Sequence, residues 1–73
     1  MEYYNRIRAL REDHDLTQEA IAKILNTNQK KISRIEIGTQ KISIDELTIL
    51  CEYYHVSADY ILGLPAGLPY PRR

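Results

Sequence analysis

The sequence predicts an all-α fold, a compact bundle of five short helices. Three observations predict it. Apolar residues recur at spacings of three and four along most of the chain. Ser, Thr and Asn stand ahead of those stripes and glycines behind them, where helices start and stop. The 73 residues leave room for one small domain, whose core is stable only if its helices pack with little waste.

Tyr3, Ile7 and Leu10 form the inner stripe of a first helix, which Asp13 to Asp15 should end. Thr17 is placed to cap a second helix from Gln18 to Leu25, with Glu19 in its first turn near the positive end of the helix dipole. Ala20, Ile21, Ile24 and Leu25 give its buried face. Ala22 falls where the next helix crosses, a position at which anything beyond a methyl would push the two apart. Asn26 and Thr27 make a turn, Asn being tolerant of left-handed backbone. A third helix follows from Asn28 to Ile37, and Gly38 terminates it. Ser43 followed by Glu46 ahead of an apolar run is a capping box and opens a fourth helix. Its expected inner stripe is Ile44, Leu47, Leu50, Cys51 and Tyr54. Ser57 caps a short fifth helix that Gly63 and Pro65 close. The domain is expected to span residues 1–64. Residues 65–73, rich in Pro and Gly, are expected to be a tail or a truncated linker.

Composition excludes several classes. A single cysteine, Cys51, permits no internal disulfide, no run of about 18 apolar residues exists to span a bilayer, and a charged helix rather than a signal peptide follows Met1. A reducing cytoplasm and no membrane partner are the expectation. The formal net charge is zero, yet it is unevenly distributed. Residues 1–22 hold three basic and five acidic side chains, and residues 42–62 hold four acidic side chains and no Lys or Arg. Between them, Lys23, Lys30, Lys31, Arg34 and Lys41 face Glu36 alone, a local net charge of +4. Positive potential at that place is what phosphate binding requires.

The cluster falls on the third helix. At 100° per residue, Ile32 and Ile35 face inward, so Lys30, Ser33, Arg34 and Ile37 face away from the core, with Gln29 at the edge toward the second helix. Two short helices joined by a tight turn, the second with a polar and basic outer face, have the geometry of a helix-turn-helix reader of duplex DNA. Gln pairs with adenine N6 and N7, and Arg or Lys with guanine O6 and N7. Asn28, at the helix start, is also within reach of a base. Amides near Gln18 favour a phosphate, and Lys31 and Lys41 are better placed to clamp phosphates than to read bases.

Leu16-Thr17-Gln18-Glu19-Ala20-Ile21-Ala22 and Ile32-Ser33-Arg34-Ile35-Glu36-x-Gly38 resemble the Cro and phage-repressor (XRE-type) helix-turn-helix family, and the resemblance extends through Val56-Ser57-Ala58-Asp59-Tyr60-Ile61-Leu62-Gly63. It implies a five-helix, lambda-repressor-like domain that binds operator DNA as a homodimer and regulates transcription, usually as a repressor. Position by position, it implies that Gln18 contacts phosphate and braces Gln29. Asn28, Gln29, Lys30, Ser33 and Arg34 would face the bases, and Arg11 and Glu36 would form an ion pair joining the first helix to the third. Asp15 and Asn26 stand where the family often has glycine, and Ile37 replaces a common asparagine.

Other features carry less. Cys51 and His55 are four apart on one helix, too few ligands for tetrahedral zinc, so no metal or other cofactor is expected. No nucleophile–base pair or phosphate-cradling glycine loop is visible, and no enzymatic activity is expected. Ile49 and Tyr53 lie on the outward face of the fourth helix and, with Tyr60, are candidates for a dimer contact. Two rival readings follow from the zero net charge and the Pro-rich end: an antitoxin-like module that grips a protein partner such as a toxin, and the DNA-binding half of a longer repressor.

Overall fold

The structure, a computed structural model, describes residues 2–65 and 69. The described residues form five helices, α1 (Tyr3–Asp13), α2 (Gln18–Ile24), α3 (Gln29–Ile37), α4 (Ile44–Tyr54) and α5 (Ala58–Leu62), and no strand. The expected tail or linker at residues 65–73 lies largely outside the described residues.

Four of the five helices start on a side-chain cap. The Thr17 hydroxyl accepts from the Ala20 N–H, the Asn28 carbonyl oxygen from Lys31, and the Ser57 hydroxyl from Tyr60. Ser43 and Glu46 complete the reciprocal capping box, at 3.1 Å and 3.0 Å. Each cap satisfies an N–H that the first turn would otherwise leave without a partner. The turns close with left-handed backbone at Asp15, Asn26, Gly38, His55 and Gly63. Asp15 and Asn26 take this conformation without being glycine, their short polar side chains tolerating it better than most.

Ile7, Leu10, Ile21, Ala22, Leu25, Ile32, Ile35, Leu47, Leu50, Tyr54 and Ile61 make one core to which every helix contributes. Three details differ from the periodicity. Helix α2 turns Ile21 and Ala22 fully inward while Ala20 and Ile24 are half-buried, and Asn28 is the cap of α3 rather than its first residue. Ile44, expected in the core, is 77% exposed. It is the first residue of α4, and its side chain lines an open apolar groove between α4 and α5 together with Leu47, Cys51, Val56 and Leu62.

The Tyr3-Tyr4 pair holds the start of α1 against the α3–α4 loop. The Tyr3 hydroxyl accepts from the Ile42 N–H at 3.3 Å, and the Tyr4 ring covers Gly38. A Cβ on Gly38 would lie 2.7 Å from that ring, and the residue has φ of +93°. Both backbone and packing therefore exclude a side chain there. The Tyr54 ring packs at 4.7 Å from His14, and burial pushes its phenol up to about 12.

Gly38→Ala should lower stability by about 1–3 kcal/mol, because it combines a left-handed residue with a ring contact that must shift. Urea unfolding checks this; an unchanged midpoint would show that the loop adapts without cost.

Candidate nucleic-acid interface

Helix α3 is positioned by one of its own carboxylates, which α1 and α2 hold from the other side. Glu36, near the end of α3, has a side chain only 3% exposed, and a buried charge is tolerable only when fully partnered. Arg11 of α1 supplies two parallel bonds, Nε to Oε2 at 2.7 Å and Nη2 to Oε1 at 3.0 Å. Gln18 of α2 donates to Oε1 at 3.0 Å. Arg11 also donates from Nη1 to the Leu16 carbonyl at 2.9 Å, so one guanidinium ties α1, the approach to α2, and α3 together. The Glu36 hydrogen bond raises the Arg11 guanidinium further above its ordinary value, against the opposing effect of burial. The chain of contacts continues outward, for Gln29 donates to the Gln18 carbonyl oxygen.

A second ion pair holds the other side of α3. Lys31 Nζ lies 2.7 Å from Glu46 Oε2, linking α3 to the capping box of α4. The sequence reading gave Lys31 a phosphate-clamping role; here its ammonium group pairs with Glu46, a partner the sequence did not indicate. The capping box turns the Glu46 side chain back over the start of α4, where Lys31 meets it. Burial opposes the Glu46 charge, but the Lys31 ammonium and the Ser43 N–H and hydroxyl outweigh it, and the carboxyl titrates below the usual carboxylate range.

What remains outward on α3 and the loop after it is cationic and polar. Lys30, Arg34 and Lys41 are exposed, and none enters an ion pair among the described residues. Ser33 and Gln29 are half-buried. Asn28 is exposed, but its carbonyl oxygen is occupied as the cap. Ile37 is 65% exposed at the end of the helix. Arg11 and Glu36 thus lie inward, Gln18 and Gln29 continue the chain of contacts from them, and Lys30, Arg34 and Lys41 are the exposed cations.

The candidate dimer residues Ile49, Tyr53 and Tyr60 are all exposed, the first two on α4 and Tyr60 on α5, where the Arg6 guanidinium carbon stands 5.8 Å from the centre of its ring. The sequence reading missed the α4–α5 groove, a space of about 520 Å³. His55, the left-handed cap of α4, and Cys51, whose thiol burial pushes up, belong to no group of three His, Cys, Asp or Glu among the described residues.

A family model described as helix-turn-helix matches residues 7–61. The chain is 40% identical over 62 residues to the uncharacterised HTH-type transcriptional regulator YobD of Bacillus subtilis, covering 85% of this chain and 55% of that protein. It is 39% identical over 57 residues to the antitoxin PezA of Streptococcus pneumoniae, covering 78% and 36%. The chain therefore spans about half or less of the length of these relatives. Among solved structures, a transcriptional regulator from Listeria innocua superposes with a TM-score of 0.84 at 24% identity, covering 96% of this chain and 65% of that one. The P22 c2 repressor, solved in complex with a synthetic operator, superposes at 0.77 with 27% identity, covering 85% and 94%.

Two outcomes follow from the ion pairs. Arg11→Ala leaves the Glu36 carboxylate buried without its cation and should cost about 3–5 kcal/mol in chemical denaturation; equal stability to wild type would refute the structural role. The Glu46 contribution should be fully present above its ordinary value near pH 4.5 and be lost as pH falls through its lowered folded value. Thermal melts of wild type and Glu46→Gln across acidic pH should therefore converge as the pH drops, and parallel curves would contradict the assignment.

Proposed function

This chain belongs to the helix-turn-helix family, and on that premise we propose that it is a sequence-specific, duplex-DNA-binding transcriptional regulator, acting as a repressor with α3 in the major groove. The observation that carries the reading is the outer face of α3, where Gln29, Lys30 and Arg34 stand on a helix clamped from behind by Glu36 and from the side by Lys31. Gln29 pairs with adenine, and Arg34 and Lys30 with guanine. Asn28 and Ser33 flank these contacts. Gln18, through its remaining N–H, and Lys41 hold phosphates and set the register. Lys31 serves the interface indirectly by fixing α3 against α4. The reading needs no cofactor and locates the protein in the cytoplasm, with residues 1–64 as the DNA-binding domain.

Two copies bind a near-palindromic site, related by a two-fold axis that the exposed Ile49 and Tyr53 help to build. A second reading, favoured by the likeness to the antitoxin PezA and by the α4–α5 groove, gives this fold a protein partner such as a toxin in addition to, or instead of, DNA.

Selection from a random duplex pool at near-physiological salt should enrich an inverted repeat with half-sites about one helical turn apart. On that site, Gln29→Ala and Arg34→Ala should each cost about 1–3 kcal/mol and relax one base position, whereas Lys41→Ala weakens all sequences alike and lowers the salt slope by about one. Uniform losses for all three variants would contradict the division of roles. A folded protein that enriches nothing would favour the protein-partner reading.

A further inference from the structure

We propose that Arg11 and Glu36 are positioning residues for base recognition: through Gln18 they fix which way the Gln29 amide faces, and thereby make that position select adenine over guanine. The inference rests on the DNA-reading role given to α3 above and extends it to two residues behind the interface.

The argument is one of donors and acceptors. An ionised carboxylate only accepts hydrogen bonds. Glu36 is buried, and three N–H groups converge on it, Arg11 Nε, Arg11 Nη2 and Gln18 Nε2. Gln18 therefore has a single permitted orientation, with its NH2 group toward Glu36, since the reverse would set two oxygens against each other. Its carbonyl oxygen is thus turned toward Gln29, which answers with an N–H. Gln29 is left with its own carbonyl oxygen and one N–H. That donor–acceptor pair matches adenine, which offers an acceptor at N7 and a donor at N6. Guanine offers two acceptors, N7 and O6, and would require both N–H groups of a reversed amide. The negative charge on Glu36, held in place by Arg11, is in this way expressed as a base preference.

Glu36→Gln tests the relay because it keeps shape and removes one acceptor. The new carbonyl oxygen serves either Arg11 Nε, in which case the NH2 group opposes Nη2 and Gln18 reverses, or Nη2 and Gln18 together, in which case it opposes Nε and Gln18 keeps its orientation. The first arrangement turns both Gln29 N–H groups outward, the pattern that fits guanine, the second keeps the adenine pattern, and Gln29 loses its fixed orientation. Gln18→Ala cuts the relay at a half-buried position without touching the ion pair and leaves the Gln29 amide free to face either way, so it remains informative if Glu36→Gln does not fold.

The experiment is competitive binding of wild type and both variants to duplexes that differ only at the base pair whose preference Gln29→Ala abolishes. Wild type should favour adenine over guanine there by roughly 5- to 150-fold, the discrimination of one good bidentate contact. Gln18→Ala should level that ratio to about one, and Glu36→Gln should lower it toward one, with preferences at the Arg34 and Lys30 positions retained. An unchanged ratio in the variants overturns the relay while leaving the DNA-reading role intact. Equal loss of preference at every position also overturns it, because that marks a merely structural role. A wild-type protein without any base preference would remove the DNA-reading role and this inference together.

Discussion

The arrangement depends on the buried ion pair between Arg11 and Glu36. It joins residues 25 apart in sequence and sets α3 against α1, while Gln18 attaches α2 to the same carboxylate. Such a pair is a poor source of net stability, since desolvating two charges consumes most of their attraction. Its value lies in specificity of packing. Ile32 and Ile35 drive α3 into the core without directional preference, whereas a bidentate guanidinium accepts one register and one rotation. The base-reading role proposed for α3 needs that rotation defined, because base contacts tolerate little error in side-chain position.

Lys31 and Glu46 complete the restraint by joining α3 to α4. Glu46 is at once the returning half of the capping box and the partner of Lys31. The effect on the electrostatics is a sorting of charge. Of the three cations of α3, Lys31 is paired with Glu46, while Lys30 and Arg34, with Lys41 of the following loop, are exposed. A chain with no net charge thus presents a cationic face, and local potential rather than total charge is what an incoming phosphate meets.

Much of this was legible in the sequence because it is local. Caps, stops and inward stripes are decided within a few residues, so Thr17, Ser43, Glu46, Ser57 and Gly38 announce their roles, and the outward set on α3 follows from its rotation. Features set by tertiary geometry were not legible in the same way. The link from Gln18 to Glu36, the Lys31–Glu46 pair and the Tyr4 ring over Gly38 connect residues 15 to 34 apart, and side-chain type alone does not select one partner among several. The pairing of Arg11 with Glu36 was anticipated through the family resemblance rather than from the residues themselves. Ile44 shows the limit of periodicity: its angle on α4 is compatible with the inner stripe, but it stands at the first turn, where it borders the α4–α5 groove instead of the core.

The central claim is that the surface built by Gln18, the outer side of α3 and Lys41 is the one that meets DNA. Backbone and side-chain amide shifts of isotope-labelled protein, titrated with the duplex it selects, test this most directly. The account predicts perturbations concentrated on Gln18, Asn28 to Arg34 and Lys41, with the α4–α5 groove around Ile44 and Leu62 unaffected beyond any contact between copies. Perturbations centred on that groove, with α3 silent, would contradict it.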